Sequence, residues 1–260
     1  MVSRKKIYIL SIAGSDSSSG AGVQADLKTI MSLGGYCTVA ITSITAQNKN
    51  KVSQIYNLNP DLVIDQIKSI MEDFDIKGIK IGLVNNKVLS KKISSFLEKF
   101  SIPIIVDPVF VSTSGFEFIE KSNYKVSQLY LSNHAKLLTP NVFEAEILSG
   151  IKIKNNLNKT KESLYFLYKK FQTPILIKSA YVEKNNICDT LYDGDDVKMF
   201  KHKRVDIGEF HGTGCTLSSA ICFFLANGND LVDSIFKARK YLLSSLNRSK
   251  SSDSKGYLCH

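Results

Sequence analysis

Short apolar runs alternate with amphipathic helical segments along most of the chain. The first two runs, residues 7–13 and 36–44, are separated by a helical segment at 23–33. Later runs of the same kind lie at 76–81, 102–106, 136–138 and 174–178. Such alternation is typical of a mostly parallel sheet with helices on both faces. We therefore predict one α/β domain over residues 1–260, with a polar tail that frays from about Arg248.

Composition argues against several classes of protein. The net charge of +10 is spread along the chain and is not interleaved with aromatic residues, which favours a solvated basic surface over a nucleic-acid site. Such a surface would still attract phosphorylated substrates. No apolar run approaches the ~18 residues of a membrane span. The five cysteines are widely spaced and form no CxxC pair, so we predict a cytoplasmic protein without a disulfide framework or zinc site.

A glycine-rich turn, His-Gly-Thr-Gly-Cys-Thr-Leu at 211–217, precedes an apolar helical stripe. The stripe consists of Leu217, Ile221, Phe224 and Leu225. Gly212 and Gly214 let backbone N–H groups approach an anion, and a helix N-terminus adds donors and partial positive charge. Thr213 and Thr216 add hydroxyl groups. The turn is therefore a candidate phosphoryl site, and the alternative is a turn that only starts a helix.

A polar loop at 14–22 joins the first strand to the first helix. It matches neither the P-loop nor the dinucleotide-binding fingerprint, so we interpret it as a site for the other substrate. Asp26, on the helix that follows, is a candidate anchor, although an exposed helix carboxylate is the alternative. Gln47 ends the second strand and offers one acceptor and two donors to a heterocycle. A loop glutamine that faces water is its alternative.

Polar residues or glycines follow most of the predicted strands. These residues are Gly14, Gln47, Gly82, Asp107, the segment 139–144 and Lys178. Ligands of open parallel sheets bind at the carboxyl ends of the strands. We therefore expect these residues to meet at one site.

Together these stretches resemble the ribokinase-like superfamily, and more narrowly the hydroxymethylpyrimidine/phosphomethylpyrimidine kinases of thiamine biosynthesis. The resemblance covers nearly the whole chain. Its motifs are Ile-Ala-Gly-Ser-Asp-Ser at 12–17, Gly-Ala-Gly-Val-Gln-Ala-Asp-Leu-Lys-Thr at 20–29, Thr-Ala-Gln-Asn at 45–48, Lys-Ile-Gly-Leu at 80–83, Val-Asp-Pro-Val at 106–109, Leu-Thr-Pro-Asn at 138–141, Glu-Ala-Glu at 144–146 and the turn at 211–217. It implies a three-layer fold, a homodimer, and ATP-dependent phosphorylation of 4-amino-5-hydroxymethyl-2-methylpyrimidine, then of its monophosphate to the diphosphate.

The resemblance also implies roles for residues on the pyrimidine side of the site. Gln47 would bind the ring and its amino group. Gly14 and Asp26 would line the same pocket, and Leu83 would pack on the ring.

On the nucleotide side, the resemblance assigns residues to phosphate and metal. Asn141 and Glu144 match an Asn-x-x-Glu pattern that helps to place Mg²⁺ and the phosphates of ATP. Asp107 would hold a metal-bound water, and Lys178 would neutralise the transferring phosphate. The anion hole would comprise Gly212, Thr213, Gly214 and Cys215.

Cys215 occupies the position where most of the superfamily has an aspartate base. A thiol at a helix N-terminus is expected to have a lowered pKa, so Cys215 is a candidate base. Two alternatives remain open: a small residue that lines the anion hole, and an inert residue that packs in the helix.

Three departures from the family pattern concern the loops. Ser179-Ala180-Tyr181 replaces the usual Gly-Gly-His beside the β-phosphate, Glu209-Phe210 replaces Asn-Thr, and Ser19 replaces a glycine. We expect Ser19 to stiffen the first loop and Glu209 to repel phosphates unless it points away or reaches Mg²⁺.

Other functions remain open beside the main interpretation. A pyridoxal (vitamin B6) kinase is the nearest, and a catalytically inactive pyrimidine-binding protein is an alternative from another class. A nucleic-acid-binding role is weaker and predicts binding that depends steeply on salt.

Overall fold

The computed structural model describes residues 6–112, 114–205, 210–250 and 255–260. The strands in these ranges are β1 (Tyr8–Asp16), β2 (Tyr36–Asn48), β3 (Lys51–Asn57), β4 (Ile76–Ile81), β5 (Ile104–Val106), β6 (Leu137–Leu138), β7 (Ile175–Glu183), β8 (Asn186–Tyr192) and β9 (Val197–Lys203). The helices are α1 (Gly22–Ser32), α2 (Pro60–Asp73), α3 (Lys87–Leu97), α4 (Lys121–Ser132), α5 (Val142–Ser149), α6 (Leu157–Phe171), α7 (Thr213–Ala226) and α8 (Leu231–Lys250).

The nine strands form one sheet in the order β3-β2-β1-β4-β5-β6-β7-β8-β9. Neighbouring strands from β2 to β7 are parallel, which confirms the predicted mostly parallel α/β sheet, and antiparallel hairpins close both edges. The chain moves from β1 to β2 on one side and later returns to place β4 on the other side of β1. Open α/β sheets bind ligands at such a reversal.

Apolar side chains form two separate cores. Ile9 packs with Leu217, Ile221 and other residues of α1, α7 and α8, whereas Leu10 packs with residues of α2 through α6. Consecutive residues of β1 enter different cores because strand side chains alternate between the two faces. The helix α7 that follows the glycine turn is therefore fixed by burial of its stripe.

Two elements differ from the predictions. The edge strand β3 was not predicted, because in Lys-Val-Ser-Gln-Ile-Tyr-Asn only Val52 is buried and the apolar pattern is weak. Fraying from Arg248 is wrong for the described residues: α8 continues to Lys250, and Leu258 is buried against the core of α7 and α8. A single buried leucine in a polar segment is too small a signal to reveal this packing.

No described helix is long and apolar enough to cross a membrane.

Candidate active site

A cavity of about 520 Å³ lies at the carboxyl ends of the central strands. Its volume falls within the range of roughly 300–1,000 Å³ for small-molecule sites. The predicted residues that line it are Gly14, Gln47, Leu83, Asp107, Asn141, Glu144, Lys178, Gly212, Thr213, Gly214 and Cys215. Leu83 packs against Gly14 at one wall. The structure thus brings most of the predicted site residues together.

The N-terminus of α7 lines the cavity. Gly212 is its N-cap, with φ of 86°, and a Cβ there would lie 1.7 Å from the carbonyl oxygen of Gly20. Among the residues that the structure describes, no side chain caps this helix, so none of them accepts from the first-turn N–H groups as a cap. Thr216 is fully buried and does not line the cavity. The exposed helix N-terminus therefore offers donors and partial positive charge to an anion.

Lys178 places a cation beside the first turn of α7. Its Nζ lies 3.3 Å from the position that a Cβ on Gly214 would occupy. The same Nζ bonds Asp107 Oδ1 at 2.5 Å, and Ser218 Oγ donates to Asp107 Oδ2 at 3.2 Å. Burial opposes ionisation of both partners, yet their mutual attraction raises the pKa of Lys178 and lowers that of Asp107. A charged lysine is thus held beside the helix N-terminus.

Asn141 and Glu144 form a capping box at the start of α5. The Glu144 N–H donates to Asn141 Oδ1 at 2.8 Å, and the Asn141 N–H donates to Glu144 Oε2 at 2.8 Å. Burial, partly opposed by the charge of Lys178, raises the pKa of Glu144 to about 7. The Asn-x-x-Glu pattern therefore has a structural role in the helix as well as its predicted role toward ATP.

Two carboxylates in the cavity are of the kind that holds a magnesium ion together with a nucleotide's phosphates. Among the described residues no group of three acidic, histidine or cysteine side chains forms a metal cage. Mg²⁺ in kinases is commonly held by one or two carboxylates together with substrate phosphates and water. Asp107 and Glu144 both line the cavity and supply such oxygen ligands.

Cys215 lies in the first turn of α7, but its pKa is not lowered. Burial raises the pKa of its thiol to about 11, and the positive charge of Lys80 only partly opposes this. The sequence-based expectation of a lowered pKa is therefore wrong, because loss of hydration outweighs the nearby positive charge of Lys80. The thiol is protonated near neutral pH.

Hydrogen-bonding side chains surround His211, which lines the cavity just before the N-terminus of α7. Its Nε2 lies 2.8 Å from Asp16 Oδ2 and 3.1 Å from Gln47 Nε2. Asp16 also accepts from the backbone N–H groups of Gly20 and Ala21. Burial opposes ionisation, but the bond to His211 and those from Ser18 and the backbone lower the pKa of Asp16 to about 2.

Asp16 and His211 were not predicted as functional residues. Asp16 is the last residue of β1, so the strand-end argument that selected Gln47 would have found it as well. Gln47 lines the cavity beside Asp16 and His211, so it is not a loop glutamine that faces only water.

Asp26 does not line the cavity, contrary to its predicted position. It is fully buried, which also excludes the alternative of an exposed helix carboxylate. Both of its oxygens lie 2.8 Å from Lys80 Nζ, and Ser11 and Ser219 donate to them at 2.6 and 2.7 Å. Lys80 itself lines the cavity and was missed, although a lysine within the buried run Ile79-Lys80-Ile81 is an unusual signal.

The departures in the loops have clear backbone consequences at two positions. Ser19 and Ser179 have φ of 60° and 51°, so both serines adopt the left-handed conformation that glycine adopts without cost. The Ser179 N–H donates to Asp189 Oδ1 at 2.8 Å. Glu209 lies outside the described residues.

Comparison with known families agrees with this geometry. The family model described as phosphomethylpyrimidine kinase matches residues 16–258. A hydroxymethylpyrimidine/phosphomethylpyrimidine kinase of Aquifex aeolicus (strain VF5) is 37% identical over 242 residues, which is 93% of this chain and 94% of the relative. One from Rhizobium meliloti (strain 1021) is 35% identical over 90% of this chain and 88% of the relative.

Solved structures of two kinds of kinase resemble the fold. The phosphomethylpyrimidine kinase of Clostridium difficile 630 has a TM-score of 0.80 at 33% identity and covers 93% of this chain and 100% of its own. The Staphylococcus aureus pyridoxal kinase in complex with ADP has a TM-score of 0.84 at 29% identity. The match covers 94% of this chain and 89% of the pyridoxal kinase.

Proposed function

The chain belongs to the phosphomethylpyrimidine kinase family, and we propose that it performs two successive ATP-dependent phosphorylations in thiamine biosynthesis. The first acts on the hydroxymethyl group of 4-amino-5-hydroxymethyl-2-methylpyrimidine. The second converts the monophosphate to the diphosphate. Two relatives match this chain over 94% and 88% of their own length, and their names state both activities.

One observation carries this proposal: a single cavity joins an anion site to a hydrogen-bonding site. The N-terminus of α7 and Lys178 form the anion site, and Gln47, Asp16 and His211 form the adjoining hydrogen-bonding site. A phosphoryl group needs the first site, and a substituted pyrimidine with ring nitrogens and an amino group needs the second. Transfer between a nucleotide and a heterocyclic alcohol requires both sites within one cavity.

The chain's residues mainly align the reactants and stabilise charge. Phosphoryl transfer needs little covalent help, and one anion-hole donor contributes about 3 kcal/mol to the transition state. In our proposal the N–H groups of the α7 first turn and Lys178 stabilise the transferring group, while Gln47 orients the pyrimidine. Cys215 lines the hole as a neutral thiol. Mg²⁺, held by Glu144 and Asp107 with ATP, would supply further positive charge.

A smaller cavity supports the placement of ATP. Its volume is about 220 Å³, and it shares Ser179, Thr213 and Arg239 with the main cavity. We propose that the nucleoside occupies this space, so that its phosphates reach the N-terminus of α7.

The wider organisation is proposed on the family resemblance. We infer one three-layer ribokinase-like domain, which the two cores on alternating sides of β1 support. We also infer a homodimer and a cytoplasmic location, where a reducing environment would keep the Cys215 thiol intact.

The test is incubation of the purified protein with Mg-ATP and either the hydroxymethylpyrimidine or pyridoxal, with products followed by mass spectrometry. We expect the mono- and then the diphosphate of the pyrimidine. Lys178→Met should abolish turnover. Lys169→Met, at an exposed position on α6, is the matched control and should keep turnover.

Each other outcome selects an alternative. Faster turnover of pyridoxal would favour the pyridoxal kinase function, which the fold similarity to pyridoxal kinases supports. Monophosphate alone would show that the second step is lost, and the Ser179-Ala180-Tyr181 segment would be the first suspect. Pyrimidine binding without turnover of either compound would identify an inactive binding protein.

A further inference from the structure

Residues 256–258 lie against the turn that carries His211. The His211 N–H donates to the carbonyl oxygen of Gly256 at 3.0 Å, and His211 and Tyr257 form a parallel bridge. The Tyr257 ring meets the His211 ring edge-on, with centroids 6.1 Å apart and planes at 78°. Backbone and side chain of this segment therefore both restrain His211.

Tyr257 also contacts two other loops that border the cavity. A Cβ on Gly20 would lie 2.7 Å from Tyr257 Cδ1 and 2.2 Å from His211 Cδ2, so both rings pack directly on the Gly20 backbone. The Lys49 N–H, in the β2–β3 hairpin just after Gln47, donates to Tyr257 Oη at 3.2 Å. One side chain thus joins the loop after Asp16, the hairpin after Gln47 and the His211 turn.

The segment is fixed at points remote from the cavity. Leu258 is buried in the core with α7 and α8, and the Cys259 N–H donates to Ser249 Oγ at 2.8 Å. His260 Nδ1 lies 3.3 Å from Thr29 Oγ1 and 3.2 Å from Tyr241 Oη. Tyr257 itself does not line the cavity. It is therefore held in place without help from a bound substrate.

We propose that Tyr257 is a positioning residue for the pyrimidine substrate: its ring holds His211 in contact with Asp16 and Gln47. The inference rests on the proposed function, because it assigns the pyrimidine to the part of the cavity that these residues line. The α7 N–H groups and Lys178 are fixed by the helix and the sheet instead. Loss of the Tyr257 ring therefore weakens pyrimidine binding and leaves ATP binding intact.

The experiment compares steady-state kinetics of the unmodified protein with those of Tyr257→Ala and Tyr257→Phe. Tyr257→Ala should raise the KM for the hydroxymethylpyrimidine about tenfold and leave the KM for ATP within twofold. Tyr257→Phe keeps the ring and should restore the pyrimidine KM to within twofold or threefold. Tyr165→Ala, a half-exposed tyrosine on α6 that does not line the cavity, is the matched control.

A double-mutant cycle tests whether Tyr257 acts through His211. On a His211→Asn background, Tyr257→Ala should add little further increase in the pyrimidine KM, since the group it positions is already gone. Independent, multiplying effects would overturn the inference. So would a Tyr257→Ala protein with lower melting temperature but unchanged pyrimidine KM, or with equal increases in both KM values. Failure of the unmodified protein to phosphorylate the pyrimidine would instead overturn the proposed function, and the inference with it.

Discussion

At the residue scale, the thiol of Cys215 experiences two opposing influences. The N-terminus of α7 and the nearby Lys80 favour the thiolate, whereas burial disfavours any charge, and the pKa rises to about 11. General acid–base catalysis typically contributes 10²–10⁴-fold to a rate. A protonated thiol does not act as the base, so we assign Cys215 to the lining of the anion hole.

We therefore expect Cys215→Ser to keep kcat for the pyrimidine within about tenfold of the unmodified value, because the backbone donors remain. Alkylation of Cys215 by iodoacetamide should accelerate about tenfold per pH unit from pH 7 to 10 without a plateau, since the thiolate fraction keeps rising below a pKa of about 11. Peptide mass mapping identifies the modified cysteine. A plateau near pH 8, or a loss of kcat beyond 10²-fold, would contradict this assignment.

Gly212 combines a left-handed backbone with a close approach to another loop. Gly212→Ala should reduce turnover by more than 100-fold, because its Cβ would lie 1.7 Å from the Gly20 carbonyl and displace the α7 N-terminus. Gly228→Ala, at the other end of α7, has nearly the same φ, 85°, with nothing within 4 Å. This control should cost only the backbone strain, about 1–2 kcal/mol of stability, and leave turnover nearly unchanged. Equal loss of activity in the two variants would exclude the steric explanation.

At the scale of elements, the buried pair of Asp26 and Lys80 joins α1 to β4. Serines from β1 and α7 complete the shell, so four elements meet at one carboxylate. Lys80 lines the cavity, whereas Asp26 and its two serine donors are fully buried behind it. The pair fixes the relative positions of elements that carry residues of the site.

Asp26→Asn should lower the free energy of unfolding by about 3–5 kcal/mol, because it leaves the buried ammonium of Lys80 without a negative partner. Asp65→Asn breaks an exposed pair with Lys68 and should cost about 0–1 kcal/mol. Urea unfolding followed by circular dichroism measures both values. A loss below 1 kcal/mol for Asp26→Asn would show that the pair is not a structural junction.

The elements also show how far the sequence could be used for prediction. Buried central strands such as β5 were predicted because both faces are apolar, and the strand ends located the cavity. β3 was missed because an edge strand exposes most of its side chains. Asp26 was misplaced because its helix position does not reveal the lysine opposite, 54 residues away along the chain. The pKa of Cys215 depends on burial by distant segments, which a local motif does not contain.

At the scale of the whole molecule, the β2–β3 edge exposes apolar side chains. Ile44 and Tyr56 pair across the hairpin and are 50% and 70% exposed. A sheet edge of this kind is a suitable surface for a second copy of the chain.

If the proposed homodimer uses this edge, the double variant Ile44→Glu/Tyr56→Glu should sediment as a monomer while the unmodified protein sediments as a dimer. Buried carboxylates at such an interface would cost more than the lost apolar contact gains. Phe236→Glu, at a 61% exposed position on α8, is the control and should remain dimeric. A dimeric double variant would place the interface elsewhere.

The side chains around His211 come from distant parts of the sequence: Asp16 and Gln47 precede it by 195 and 164 residues, and Tyr257 follows it. A ribosome releases the N-terminal segments first, at about 5–20 residues per second. The ends of β1 and β2 are therefore synthesised on the order of ten seconds before His211 and Tyr257, which lie beside them in the folded protein. A nascent chain that stops before α7 carries Asp16, Gln47 and Lys178 but lacks His211 and the α7 N–H groups, so in our proposal phosphoryl transfer becomes possible only after α7 has been synthesised.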